Sequence, residues 1–394
     1  MASRTEREIE TELEMHLGAA AQGHLGLLAA LRGWRLKMPD ELLRAALMPS
    51  HQCVDQSSLF INPESVAHRQ LIPHLSYSLG GLVDGHSLAQ TLRTLRLRNG
   101  LINQRLQREC REVLACFSKT GLDVVVFKGA DLAFSAYPHP CCRVVGDIDL
   151  LVDENDFDRA IEVLKVNGWT NDGEADLPPK EFIKRSLALS HPDFFVSLDV
   201  QNHISHHSIW PGADKKYFVS AITRQGANGS AYRTLCPEHA FMQVCGHGVA
   251  QNYHPPVRWA ADAVWILRTA GESFDWDVML AAMQTSRSAP ILSVSLAYLY
   301  LVMEVDVPSQ VLLEARQAAS SHAFRNAWLY RLVLPRGKLQ RASAFLAQFY
   351  EAAPEQSMLG LLARFPTYVR NSQRKKTTLS GLGSLGRKAI GWGA

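Results

Sequence analysis

The chain has 394 residues, of which 47% are hydrophobic and 20% charged, a balance typical of globular proteins with room for two or three domains. Its 41 basic and 38 acidic residues leave a formal charge of only +3, which argues against nucleic acid or a membrane surface as the main partner. The seven cysteines have no CxxC spacing, which favours reduced thiols over a disulfide framework.

The sequence shows no targeting or membrane-spanning segment. The first residues, MASRTEREIETELEMHL, are charged where a signal peptide would be basic and then apolar. The longest apolar run, Ile291 to Met303, is shorter than the roughly 18 residues of a membrane span, and Glu304 ends it. We therefore expect a cytoplasmic protein in which this run is a buried helix.

The apolar pattern divides the chain into helical and mixed regions. Helical spacing predominates from Arg4 to about Leu106, and a helix is predicted to end at Gly121 with a glycine cap. Strand and helix patterns then alternate to about Arg233, and helical spacing returns to about Arg370. The predicted fold class is α+β, a small mixed sheet flanked by helical regions. The predicted divisions are a helical region 1–100, a sheet domain 101–233, a helical domain 234–370 and a basic flexible tail 371–394.

Two acids lie one residue apart in a predicted strand, DIDLLV. Because successive side chains of a strand point to opposite faces, Asp147 and Asp149 share one face. Two adjacent carboxylates repel unless a cation or water lies beside them. Asp199, in the strand pattern FVSLDVQ, is a candidate third acid. Three carboxylates on neighbouring strands can hold two Mg²⁺ or Mn²⁺ ions, as in metal-dependent phosphoryl or nucleotidyl transfer.

The segment FKGADL marks the end of one strand and the start of a helix. Gly129 lets a phosphate approach the backbone amides around Ala130, and Lys128 adds a positive charge. Each signal alone is weak, but together they predict a site for nucleotide phosphates.

These motifs resemble those of a known protein family. The run from Phe127 to Trp169 resembles the uncharacterised nucleotidyltransferase family of the DNA polymerase β-like nucleotidyltransferase superfamily. The matching positions of that run are Lys128, Gly129, Tyr137, Arg143, Gly146, Asp147, Asp149, Gly168 and Trp169. A second block looks like the family's helical part at His247, Arg258, Trp259, Asp262, Asp275 and Trp276, and the likeness covers about Leu101 to Pro308. In the third strand the family usually has His and Trp where this chain has Gln201 and Asn202.

The resemblance implies a metal-dependent nucleotidyltransferase that moves a nucleoside monophosphate from a triphosphate to a hydroxyl of a small molecule, sugar, peptide or protein. Asp147, Asp149 and Asp199 would bind Mg²⁺ or Mn²⁺, with Asp199 also able to accept a proton. Lys128, Gly129, Ala130 and Arg143 would bind the nucleotide. The alternatives are an inactive nucleotide-binding or scaffolding protein of the same fold, and a phosphotransferase.

Some residues keep two interpretations. His191, His203, His206 and His207 could form a zinc site, but a polar loop beside the active-site strand is the favoured interpretation. His247 is expected to be a core or interface histidine. Arg258 and Asp262, four residues apart, either pair on a helix surface or face the cleft, and the surface pair is favoured.

Overall fold

A computed structural model gives the fold. It describes residues 66–79, 88–171, 185–204, 214–226, 231–251, 258–284, 289–301 and 303–320, with a few positions between 349 and 369. The helices are α1 (Val66–Leu79), α2 (Ala89–Thr120), α3 (Lys128–Ser135), α4 (Phe157–Val166), α5 (Lys215–Val219), α6 (Pro237–Cys245), α7 (Arg258–Ala270), α8 (Trp276–Gln284), α9 (Ala289–Leu301) and α10 (Ser309–Ser320). The strands are β1 (Val124–Phe127), β2 (Asp147–Val152), β3 (Ser186–Leu189), β4 (Ser197–Gln201), β5 (Ile222–Gln225) and β6 (Ala231–Thr234).

The six strands form one mixed sheet in the order β3-β4-β2-β1-β6-β5. The β2–β4 and β1–β6 pairs are parallel, whereas β1–β2, β3–β4 and β5–β6 are antiparallel. This arrangement confirms the predicted α+β class with a small mixed sheet.

Each face of the sheet packs against a different set of helices. Val124 and Val126 of β1 belong to a core that includes residues of α2 and α4, while Val125 and Phe127 belong to a core with α6 to α10. On β2, Leu151 shares the second core. The alternation follows from the two-residue period of a strand. The sheet is therefore buried between two helical layers.

Several predicted boundaries agree with the structure. β2 spans Asp147–Val152, the whole DIDLLV motif, and α2 ends at Gly121, whose φ of 66° is the left-handed conformation of a glycine cap. The apolar run from Ile291 falls in the buried helix α9. No helix in the described ranges combines the length and the hydrophobicity that a membrane crossing requires.

Strands β3, β5 and β6 were not predicted. They have four residues each, SLAL, ITRQ and AYRT, and β5 and β6 are mostly polar or half-buried. Their pairing partners, rather than their own pattern, place them in the sheet. The predicted tail 371–394 and most of the N-terminal region lie outside the described residues.

Candidate active site

The three predicted acids meet on two neighbouring strands. Parallel pairing of β2 with β4 places Asp149 directly beside Asp199, and Asp147 beside Ser197. The apolar residues Leu198 and Val200 of β4 face the core with α2 and α4, so Asp199 points to the other face with Asp149. Strands in a sheet are about 4.8 Å apart, so the backbone brings these carboxylates side by side.

Three side chains hold Asp149 and Asp199 in their present positions. Lys128 Nζ lies 2.5 Å from Asp149 Oδ1. Gln201 Nε2 donates to Asp149 Oδ1 at 3.0 Å and to Asp199 Oδ2 at 3.2 Å, and it thereby bridges the two carboxylates. Ser186 Oγ donates to the other oxygen of Asp199 at 3.1 Å. Gln201 therefore acts as a hydrogen-bond donor between the two carboxylates.

Asp149 is buried, and its pKa is shifted from the ordinary value. Only 4% of its surface is exposed, and burial raises its pKa to about 7. The ammonium of Lys128 opposes that shift, while the charges of Asp147 and Asp199 add to it. A buried carboxyl beside two others is electrostatically unfavourable on its own, which is the situation that a bound cation relieves.

Lys128 begins α3 with a backbone φ of 55°, a left-handed conformation that is costly for any residue with a β-carbon. The next residue, Gly129, lies against Arg143, because a β-carbon at Gly129 would be 3.2 Å from Arg143 Nη1. The strand-to-helix junction therefore places a lysine, a bare glycine and an arginine together at the start of α3. Such a junction suits the close approach of a phosphate.

Arg143 is bound mainly by the protein itself. Its Nε and Nη2 donate to the two oxygens of Asp262 at 2.8 and 2.9 Å, and Tyr137 Oη donates to Asp262 Oδ1 at 2.7 Å. Asn99 and Asn103 of α2 donate to the Arg143 carbonyl oxygen. Asp262 therefore does not form the surface pair with Arg258 that the sequence favoured. It connects α7 to the segment that leads into β2.

A pocket of about 310 Å³ lies between the sheet and the helices that follow it. One wall carries Lys128, Gly129, Leu132, Arg143, Val145, Gly146, Asp147, Asp149 and Asp199. The other carries Gln243, Val244, His247, Gly248, Arg258, Trp259 and Asp262. Its volume falls at the lower end of the range for small-molecule sites.

The helical wall depends on a π-helical turn, Gly246–Gln251, that continues α6. π-Helical turns recur at functional sites. Gly248 in this turn packs so closely on α7 that a β-carbon there would lie 2.2 Å from Trp259 Cβ. His247, for which a core or interface position is expected, is half-buried and lines the pocket with Gln243. The four-residue spacing of Gln243 and His247 in a helical pattern was the sequence signal that could have placed them together.

Arg258 also lines the pocket. The nearby charge of Arg143, together with burial, lowers the pKa of Arg258 to about 10, against a smaller opposing effect of Asp262. Its guanidinium thus remains protonated at neutral pH. Arg258 and Asp262 both line the pocket, so the structure agrees with the alternative interpretation in which they face the cleft.

Two sets of predicted residues lie apart from the pocket. Ala130 is fully buried in the core shared with α2, so only its backbone could serve a ligand. His191 packs against Trp169 and Phe194, with ring centroids 5.4 and 4.7 Å away. His206 and His207 lie outside the described residues.

The aspartates suit Mg²⁺ or Mn²⁺ in their chemistry, because hard carboxylate oxygens are the ligands these ions prefer. Within the ranges that the structure describes, no three His, Cys, Asp or Glu side chains converge on a point that could hold a metal ion. Asp149 Oδ1 accepts hydrogen bonds from Lys128 and Gln201. The carboxylate oxygens of the aspartates fit the chemistry of these ions.

Comparison with known families gives one match. The sequence model of a family described as uncharacterised nucleotidyltransferase matches residues 64–304, a range that contains both walls of the pocket. None of the proteins with curated descriptions matches this chain.

Proposed function

Because this chain belongs to the uncharacterised nucleotidyltransferase family, we propose that it transfers a nucleoside monophosphate from a nucleoside triphosphate to a hydroxyl group of an acceptor. Family membership supports the general role in nucleotidyl transfer. The observation that carries the finer proposal is the pairing of Asp149 with Asp199, beside Asp147, in a pocket that also contains Lys128 and Gly129.

Each charged group has a part in this chemistry. Asp147, Asp149 and Asp199 would hold Mg²⁺ or Mn²⁺, which when bound neutralises phosphate charge and lowers the pKa of the acceptor hydroxyl. Lys128 and the amides at the start of α3 offset the charge of the phosphates. Half-buried Asp199 accepts the hydroxyl proton. The hydroxyl oxygen bonds to the α-phosphorus, the bond from that phosphorus to the bridging oxygen breaks, and pyrophosphate leaves.

The acceptor belongs to one of four classes: a small molecule, a sugar, a peptide or a protein. The test is to incubate the full chain with Mg²⁺ and each of the four ribonucleoside triphosphates labelled at the α-phosphate, with pools of compounds from each class. We expect the label to move to one pool with release of pyrophosphate. Asp149→Asn and Asp199→Asn should abolish the transfer, and label transfer at the wild-type rate by Asp149→Asn protein would refute the assignment.

A non-catalytic nucleotide-binding protein of the same fold is the second candidate. The observation in its favour is the occupation of Asp149 by Lys128 and Gln201. Calorimetric titration of the triphosphates combined with a pyrophosphate assay distinguishes the two, because a binding protein would bind nucleotide and release no pyrophosphate with any pool. Labelling at the γ-phosphate in parallel identifies a phosphotransferase, which would move that label instead.

A further inference from the structure

Arg258 is a positively charged residue in the pocket wall, and its surroundings contain little negative charge to offset it. It forms no hydrogen bond or ion pair with any residue in the described ranges. Of the two carboxylates that offset its charge, Asp262 has the larger effect and Asp147 the smaller, but Arg143 binds both oxygens of Asp262 and Tyr137 binds one of them as well. The carboxylate with the larger effect on Arg258 is therefore already used.

The local charges favour an added anion. The guanidinium of Arg143 takes the buried carboxylate of Asp262, and the charge of Arg143 has the largest effect on the pKa of Arg258. An anion placed beside these two guanidinium groups would offset their mutual repulsion.

The position of Arg143 indicates which kind of anion would fit beside Arg258. Its Nη1 lies 3.2 Å from the point that a β-carbon of Gly129 would occupy, so the arginine pair adjoins the start of α3. Lys128 and Gly129 line the same pocket as Arg258. A ligand that crosses from α3 to α7 therefore meets several positive groups in succession. A chain of phosphates has the matching sequence of negative charges.

We infer that Arg258 binds the terminal phosphates of the nucleoside triphosphate and makes the site selective for a triphosphate over a monophosphate. This inference rests on the proposed function and assigns a specificity-determining residue within it. Arg258 on α7 and Lys128 on α3 would hold the leaving pyrophosphate from opposite walls, so the helical wall would contribute directly to substrate binding.

Binding by calorimetry tests the inference, with three ligands in the presence of Mg²⁺: inorganic tripolyphosphate, ATP and AMP. In Arg258→Gln we expect the dissociation constants of tripolyphosphate and ATP to rise at least tenfold, and that of AMP to change less than twofold. Arg258→Lys should recover part of the loss, because it restores the charge without the planar fork. Equal binding of tripolyphosphate by wild type and Arg258→Gln would overturn the inference, as would a wild type that does not bind it.

Arg268 provides the matched control. It lies on the same helix, is exposed, and stacks over the ring of Trp265 with its Cζ 5.0 Å from the centroid, away from the pocket lining. Arg268→Gln makes the same change of charge and should bind tripolyphosphate as wild type does. Ligand-free Arg258→Gln should also melt at or above the wild-type temperature, because a repulsive contact is removed. A lower melting temperature with an equal loss of AMP binding would show a structural role and overturn the inference.

The two proposals fail separately. If tripolyphosphate binding depends on Arg258 but no acceptor pool receives label, the inference stands and nucleotidyl transfer is refuted. If label transfer proceeds and Arg258→Gln shows the wild-type KM for the triphosphate, the inference is refuted while nucleotidyl transfer stands.

Discussion

The ammonium of Lys128 lies 2.5 Å from Oδ1 of Asp149, and it reaches that position from a backbone with a φ of 55°. An L-residue in the left-handed region costs about 1–2 kcal/mol relative to a right-handed conformation. Strain of this kind persists where surrounding contacts impose it, commonly at functional sites. The conformation and the ion pair are thus two consequences of one strand-to-helix junction.

Lys128→Gly and Lys128→Ala separate the strain from the charge. Both variants lose the ammonium, so we expect both to lose triphosphate binding. Glycine accepts the left-handed conformation, so Lys128→Gly should be about 1 kcal/mol more stable than Lys128→Ala. Urea unfolding measures the difference in free energy of unfolding, and equal values for the two variants would show that the backbone at position 128 is not strained.

Gln201 bridges the carboxylates of Asp149 and Asp199, so it should set their spacing. Loss of a group that orients metal ligands typically costs about 10–100-fold in metal affinity, and we expect that loss for Mg²⁺ in Gln201→Ala. Gln201→His, which keeps a ring N–H donor at this position, should retain more of the affinity. Titration of Mg²⁺ into the protein with ATP measures both. Gln225→Ala, an exposed residue of β5, is the control, and an unchanged Mg²⁺ dependence in Gln201→Ala would contradict the prediction.

Gly248 and Gly246 offer a matched pair in one helical turn. A β-carbon at Gly248 would lie 2.2 Å from Trp259 Cβ, so Gly248→Ala must push α7 away and should cost about 2–3 kcal/mol. No heavy atom in the described ranges lies within 4 Å of a β-carbon placed at Gly246, whose φ of −62° is helical. Gly246→Ala should therefore change stability by less than about 1 kcal/mol. Thermal unfolding compares them, and similar losses in both would refute the predicted close contact.

His74 predicts an acid-dependent loss of stability. It is buried between Tyr137 and Trp265, and burial lowers its pKa from 6.5 to about 3. Between these pH values the unfolded chain binds a proton at this residue and the folded chain does not. The free energy of unfolding should therefore fall as pH falls, by about 1.4 kcal/mol per pH unit from this group.

The variant His74→Phe removes that contribution. Its free energy of unfolding, relative to wild type, should rise steadily as the pH is lowered from 6.5 toward 4. Urea unfolding at several pH values in this range measures the difference. Parallel pH profiles for the two proteins would show that His74 can be protonated in the folded state.

Local patterns were enough to predict the part of the site that lies on adjacent strands. The alternation in DIDLLV placed Asp147 and Asp149 on one face, and FVSLDVQ placed Asp199 opposite Val200. The adjacent residues Lys128 and Gly129, at the end of a predicted strand, indicated where α3 begins. In each case the period of one element decides where a side chain points.

The contacts between distant segments could not be predicted in the same way. Asp262 pairs with Arg143, a residue 119 positions earlier, whereas the sequence favoured its neighbour Arg258. A four-residue spacing indicates proximity on a helix but not which side of the helix meets the sheet. The side of the π-helical turn that carries His247 likewise depends on how this turn packs against α7 and α9, which spacing along the chain does not give.

The face of the sheet that carries the aspartates has a bearing on how the ligand preference of this fold could change. Val125, Phe127 and Leu151 share their core with Phe241 and Trp259, so the residues that cover the sheet come from the same helices that form one wall of the pocket. If recombination replaced the helices that cover this face with those of a distant relative, the new helices would have to fit the buried surface of the sheet. Changes of substrate are therefore easier by point substitution at pocket positions such as Gln243 and His247 than by exchange of whole modules.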